Sequence, residues 1–480
     1  MTANEWSCMS VDVETSVFPT VICLYGITSG MQDRFGIATD NIAFVFRDKK
    51  IEYWVKDNSY SVVGKYFLNM FISNRKFIEW VGEQHFRLFE DFRKLSKLIK
   101  SFDIKRCTNK SLFGIYSIFW DKTLELYTIS CTLSSIELDI ELISSRLREI
   151  LKKKNINDDK KGYYFTLLTT PEKSTIYEEE KIHFLDMQLN YPDIKDRLKS
   201  YLGKYYWIQY GFEGKVMNSE TSTRAIITGL SKNNGQELSK IIDNRKNLIS
   251  KQKEAEKILK LNEEEKFLFY LSREVVCLKS IRKAITFFSA CELRPVLCEM
   301  AARLNLTMGD LCYLLKDDLK TALLEGQNEY KNIIQARKEI CIFARLDGRL
   351  VEFTGKEARD LLDKMQSSSN KQVQLKGTPA FCGKAKGRVK KILEEKDMPK
   401  FNEGDILVSY ATNPNLVPIM GKAAAIITQE GGLTCHAAIF SREFSIPCIV
   451  GVKNVLDGLK DGDMVEVDAY KGEIKIIKND

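Results

Sequence analysis

Histidine is nearly absent from this sequence: three residues in 480, at positions 85, 183 and 436. The twelve cysteines form no CxxC pair and no Cys/His spacing of the zinc-binding kind, so no metal site is expected. Most of them sit in apolar runs, where a thiol packs as a small hydrophobe, and a reducing cytoplasm suits them better than secretion. Long hydrophobic runs are missing. The apolar stretch 18–27 follows acidic residues, has no basic region before it and is too short to span a bilayer. There is also no GK[ST] and no GxGxxG, the usual phosphate-cradling loops. Nor does one sign of charge dominate. The formal net charge is +8, residues 371–480 carry 16 Lys and Arg against 14 Asp and Glu, and runs such as LKKKNINDDKK (151–161) mix signs. Neither nucleic acid nor membrane is therefore an expected partner.

What remains is a globular composition, 44% hydrophobic and 29% charged, in a chain too long for a single core. Its texture changes near QSSSNKQVQLKG (366–377). Eleven of the 27 glycines and five of the nine prolines come after residue 370. Before that point Lys, Glu, Leu and Ile recur at helical spacing; after it short β-branched runs alternate with turns. The expected architecture is a mainly helical region over 1–365 with small β-hairpins, a flexible linker over 366–377, and a compact α/β domain over 378–480.

Within the helical region, AFVF-RDKK-IEYWV (43–55) predicts a hairpin, and a second is predicted to turn at Asp347-Gly348. Helices are predicted over 60–101, 109–153, 235–285, 293–304, 316–340 and 356–366, with one more after the loop TTPEKS (169–174). GKYYWIQYGFEG (203–214) reads either as aromatic core or as the lining of a substrate pocket. In the α/β domain, VKKILEE, DILVSY, AAIITQ, CIVGV, MVEVDAY and EIKIIK read as strands, with helices at 414–422 and 436–444 and a Tyr-Lys-Gly turn near residue 471.

The rare histidine at 436 stands in GGLTCHAAIFSREFSIP (431–447). Gly431 and Gly432 permit a sharp turn and a close backbone approach to an anion. Thr434 is placed to cap the helix beginning near His436. The first turn of that helix offers unpaired N–H groups and the positive end of the helix dipole, which together favour a phosphoryl group. An imidazole with an ordinary pKa near 6.5 is largely neutral at pH 7, and so nucleophilic. On local chemistry alone, a capping or core histidine after a tight turn fits equally. His85 and His183 have no glycine loop beside them.

An ordered series of segments resembles the swivelling phosphohistidine domain of the phosphoenolpyruvate-utilising enzymes: LKGTPAFCGKAKGRV (375–389), GDILVSYATNPNLVPIM (404–420), KAAAIITQEGGLTCHAAIFSREFSIPCIVGV (422–452) and DGDMVEVDAYKGEIKII (461–477). The resemblance implies that His436 carries the phosphate. It further implies that Gly431, Gly432 and Thr434 bind the phosphoryl group and that Arg442 helps neutralise its charge, unless Arg442 is only a surface helix residue. Cys435 reads as packing. Ser445 stands where relatives often place Gly before Ile-Pro.

Such relatives load the histidine through an ATP-grasp domain or a TIM barrel, and neither is recognisable here. The resemblance thus implies a phosphotransferase subunit that binds no cofactor of its own. Mg-ATP would bind an ATP-grasp-type protein supplied in trans, or the donor would be of the phosphoenolpyruvate type, and an unidentified small-molecule acceptor would bind the helical region. FLFYLSREVVCLKSIRKAI and EMAARLNLTMGDLCYLL are similar to helices just upstream of the swivelling domain in such enzymes. A linker of twelve residues spans about 40 Å when extended, enough for such travel, and only a small polar contact between the two parts is expected. The alternative is a phosphohistidine carrier or regulator whose helical region docks proteins.

Overall fold

The computed structural model describes residues 6–13, 17–47, 50–56, 59–137, 142–189, 195–208, 210, 234–367, 375–393, 395–412, 416–429, 431 and 435–477. Most of the expected linker, 368–374, lies outside them.

Strand β1 (Trp6–Val13) precedes the first predicted hairpin, which forms as β2 (Ile42–Arg47) and β3 (Lys50–Lys56). A helical array follows. Its main members are α1 (Lys76–Ser101), α2 (Asn109–Ser134), α3 (Leu142–Lys153), α4 (Asp158–Thr169), α5 (Ile176–Leu189) and α6 (Glu263–Arg303). The second hairpin, β4 (Cys341–Leu346) and β5 (Arg349–Thr354), turns at Asp347 and Gly348, both at positive φ as a tight hairpin turn requires. Helix α7 (Gly355–Ser367) closes this region.

The two hairpins are not separate pieces. β2 pairs antiparallel with β4, Phe44 opposite Phe343, giving one five-stranded sheet in the order β1-β3-β2-β4-β5. Alternation along the strands divides its side chains. Ile42, Phe44 and Phe46 enter the helical core, while Ala43, Val45, Ile342 and Ala344 pack with Ala358, Leu362 and Met365 of α7.

Several helical predictions are corrected. The helix expected over 60–101 divides after Ser73, and the one over 109–153 divides after Ser134. The break expected between residues 285 and 293 does not occur: α6 runs 41 residues through Pro295. Proline removes one N–H and crowds the preceding turn, but Leu293, Val296, Leu297 and Met300 around it are buried in the core and hold the helix together. The real break lies earlier. Lys260 adopts φ 48, and Asn262 and Glu265 form a reciprocal capping box that starts α6.

The C-terminal part is a seven-stranded sheet in the order β12-β11-β7-β8-β9-β10-β6. Its members are β6 (Thr378–Phe381), β7 (Lys384–Lys391), β8 (Ile406–Ser409), β9 (Ala425–Thr428), β10 (Cys448–Val450), β11 (Met464–Asp468) and β12 (Glu473–Ile476), with α8 (His436–Phe444) crossing from β9 to β10. The strands β7, β8, β9 and β10 are parallel, and β8, β9 and β10 are covered on both faces while β7 exposes Lys384, Lys386 and Arg388. Ile406, Val408, Ala425 and Ile427 form one core. Leu407 and Ile426 turn to the opposite face, where Ala437, Ala438 and Phe440 of α8 join the same cluster. Of the helix predicted at 414–422, Val417–Met420 is helical.

Candidate functional site

Helix α8 begins at the carboxyl end of the parallel strand β9, the edge at which open α/β sheets bind ligands. The turn between them needs Gly431. Its φ is 110°, and a Cβ there would lie 2.6 Å from Sγ of Cys435. Gly432 and Thr434 lie outside the described residues. His436 is the first residue of α8, as its sequence position predicts. The cap differs from expectation: Cys435, not Thr434, is the N-cap, and its Sγ accepts from the Ala438 N–H at 3.4 Å. Burial pushes the Cys435 thiol up from its ordinary pKa, so it caps as a neutral thiol. The helix ends on Ser445 in the left-handed region, φ 58, where glycine carries no penalty.

Arg442 is not a surface residue. It lies seven residues after Cys435 on the same helix face, and a long helical side chain leans back toward the N-terminus. Its Nε donates to the Ala380 carbonyl at 3.4 Å, while Nη1 and Nη2 are shut off from solvent with no hydrogen-bond partner. Burial lowers its pKa to about 10, opposed by Cys435, Cys448 and Glu137, so it stays charged at neutral pH.

The helical region packs along the α8 side of this sheet, touching both ends of β6. Arg148 of α3 donates to Thr378 Oγ1 at 3.1 and 3.2 Å, and a Cβ on Gly162 of α4 would lie 3.3 Å from the Tyr470 ring. Lys181 of α5 stands 3.2 Å from the centre of the Phe444 ring at the end of α8. Lys279 of α6 is buried within electrostatic reach of Cys435, and its pKa is lowered to about 8; burial and Arg282 push it down, Glu137 and Cys435 hold it up. Arg282, one turn further along α6, lies over the Tyr127 ring at 5.8 Å, and its Nε is buried without a hydrogen-bond partner. The contact is thus mixed rather than simply polar: apolar packing runs from the helical core to Ala437, Ala438 and Phe440.

The family described as PEP-utilising enzyme, mobile domain, matches residues 401–472, which contain this whole turn and helix. That stretch is thus similar to the mobile domain of phosphoenolpyruvate-utilising enzymes. The chain is similar to a probable phosphoenolpyruvate synthase of Archaeoglobus fulgidus, 48% identical over 24% of this chain and 16% of the relative. It is also similar to phosphoenolpyruvate synthase of Pyrococcus furiosus, 50% identical over 22% and 13% respectively. An uncharacterized phosphotransferase of Bacillus subtilis, YvkC, is 30% identical over 35% of this chain and 21% of its own length. The chain therefore matches only about a fifth or less of the curated relatives' length, and these likenesses support phosphotransfer through the mobile domain.

Within the matched stretch, Gly431, His436 and Arg442 belong to one turn-and-helix unit. The described part of GKYYWIQYGFEG does not reach it: Tyr205, Trp207, Ile208 and Tyr210 are buried core, with Trp207 edge-on to Phe288 at 5.9 Å. Sequence reasoning missed Lys279, which lies within electrostatic reach of Cys435, and Arg282, which lies against Tyr127 in the helical core. The signal was present, since VVCLKSIRKAITFF sets cations three residues apart in an apolar helix that has little surface to give them. Among the described residues, no helix is long and apolar enough to cross a membrane.

Proposed function

We propose that this chain is a phosphotransferase component in which His436 accepts a phosphoryl group from a separate ATP-grasp-type protein using Mg-ATP and passes it to an acceptor held by the helical region. The observation carrying this reading is the placement of His436 as the first residue of α8, directly after a turn only glycine fits, inside the stretch that matches the mobile domain. A helix start supplies free N–H donors and the positive dipole end to a phosphoryl group. Loading breaks a phosphorus–oxygen bond of the donor, releasing its leaving group, and forms a phosphorus–nitrogen bond to imidazole; transfer breaks that bond and forms one to an acceptor oxygen, whose proton leaves to solvent or a base. Alignment and charge neutralisation then carry the rate.

A carrier that only docks proteins is the second reading. The helical region places the cation Lys279 within electrostatic reach of Cys435 at the start of α8, which favours a transfer site over simple docking.

The test is labelling of the full chain with an ATP-grasp partner and ATP labelled separately at its β and γ phosphates, followed by mass spectrometry. The expected adduct is acid-labile, base-stable and confined to His436; His436→Ala abolishes it, and the chain alone with Mg-ATP stays unlabelled. Label on His85 or His183, or robust turnover without a partner, contradicts the proposal.

A further inference from the structure

Three successive helices of the helical region, α3, α4 and α5, each touch a different element of the C-terminal part. Arg148 of α3 reaches the start of β6, where both Nη atoms donate to Thr378 Oγ1, at 3.1 and 3.2 Å. Its guanidinium is aimed from within the helical region: Nε donates to the Ser144 carbonyl at 3.3 Å, and Cζ lies 5.6 Å from the centre of the Phe165 ring of α4. Thr378 is buried, so the hydroxyl it offers is shielded from water. Gly162 of α4 meets the turn after β11 and the far end of β6. A Cβ there would stand 3.3 Å from the Tyr470 ring and 3.6 Å from Cβ of Cys382, so a long side chain at 162 would push the two parts asunder. Lys181 of α5 stands over the Phe444 ring at 3.2 Å, and Phe444 stacks in turn on Phe440, with ring centres 3.8 Å apart and 14° between the planes. Thr378 and Cys382 lie about 13 Å apart along an extended strand, while Phe444 sits off the sheet on α8. The three points are therefore not in line, and together they fix tilt as well as position. Phe444 is the last residue of α8 and His436 the first, about 12 Å away, so holding one end sets the direction in which the helix presents the other.

We propose that Arg148 and Lys181 are positioning residues, with Gly162 as the socket between them, of a seat on which the mobile domain presents α8 to the helical region for transfer and which it leaves to be loaded. The occupant of the seat is this chain's own mobile domain, recognised by a buried hydroxyl on β6 and an aromatic pair at the end of α8. The purpose of the seat rests on the transfer reading; its existence is tested without any phosphorylated histidine.

The reporter is native Cys382, a half-buried thiol at the socket. In the full chain its alkylation by N-ethylmaleimide, followed by peptide mass spectrometry, measures how often the domain leaves the seat. Thr378→Val and Lys181→Met should each speed that alkylation about fivefold with little change in the thermal midpoint, since each removes one charge-assisted contact. Arg148→Met should match Thr378→Val. Gly162→Cys gives an independent reading. A Cβ pair 3.6 Å apart suits a disulfide, so oxidised glutathione should link positions 162 and 382 within one chain, and adding Cys382→Ser should abolish the link. In the linked chain, labelling of His436 by the ATP-grasp partner should fall about tenfold or more and recover on reduction. A purely structural role for Arg148 and Lys181 predicts a lower midpoint with unchanged alkylation of Cys382, and that result overturns the inference. So does a folded Gly162→Cys chain that forms no link, or a linked chain labelled at the wild-type rate. Should Gly162→Cys fail to fold, the Cys382 rates in Thr378→Val and Lys181→Met decide alone. A wild-type chain whose His436 is never labelled sinks the transfer reading, while alkylation of Cys382 that depends on Thr378 and Lys181 still leaves the seat standing.

Discussion

Two buried arginines show opposite solutions to the same problem. Arg337, on the helix Tyr330–Glu339 beneath the five-stranded sheet, is fully occupied. It meets Asp318 at 2.6 Å, both oxygens of Glu352 at 2.7 and 2.9 Å, and the Tyr313 carbonyl at 2.7 Å. Burial works against its charge, but Glu352 and Asp318 outweigh that, and its pKa is raised. Arg442, against the seven-stranded sheet, has one long hydrogen bond, two unsatisfied nitrogens and a lowered pKa. The first arrangement is complete without any ligand and belongs to the fold. The second leaves stability unclaimed, as sites that receive a charged group commonly do.

The comparison breaks most sharply under substitution. Arg337→Met strands two carboxylates and should cost about 3 kcal/mol, the low end for such a break because Glu352 keeps some solvent. Arg442→Met should leave urea stability unchanged or higher while impairing phosphoryl transfer. Equal losses of stability in the two variants would erase the distinction.

The histidines extend the contrast. His85 is a satisfied core residue, its ring nitrogens 2.7 Å from the Val81 carbonyl and 2.7 Å from Ser130 Oγ, and burial with nearby Arg282 lowers its pKa to about 4. The unfolded chain binds a proton there near pH 6.5 and the folded chain only near pH 4, so this contribution is complete at neutral pH and falls as pH drops through that window. At pH 5 about 2 kcal/mol of stability should be lost, and His85→Phe should remove that part of the pH dependence in urea titrations. A His85→Phe variant as acid-sensitive as the wild type would show that other groups govern the window.

The smallest effect is at the end of α8. Ser445→Gly relieves a left-handed serine and should stabilise by up to about 1 kcal/mol, seen as a slightly higher unfolding midpoint with labelling of His436 intact. Lost labelling would mean that the serine strain serves the site.

Much of this was legible because the signals are local. The strands of the C-terminal sheet follow from short β-branched runs between glycines, and the start of α8 follows from the Gly-Gly-x-Thr-x-His string. What escaped was non-local or contextual. Nothing near residue 44 announces a partner at 343, and nothing in Pro295 itself says that buried neighbours will carry a helix through it. Arg442 could be read as surface or as site until β6 and Glu137 were placed around it. Thr434 looked like the better cap by residue type, but the turn at Gly431 brings Cys435 into that role.

The pairing of β2 with β4 also sets a timetable for synthesis. At about 5–20 residues per second, strand β2 leaves the ribosome roughly 15–60 seconds before β4 exists to cover its edge. Throughout that interval Ile42–Arg47 is an apolar strand with one open side, the kind of surface that recruits wrong partners. Collapse of the flanking helices onto Phe44 and Phe46 would shield that strand until β4 arrives.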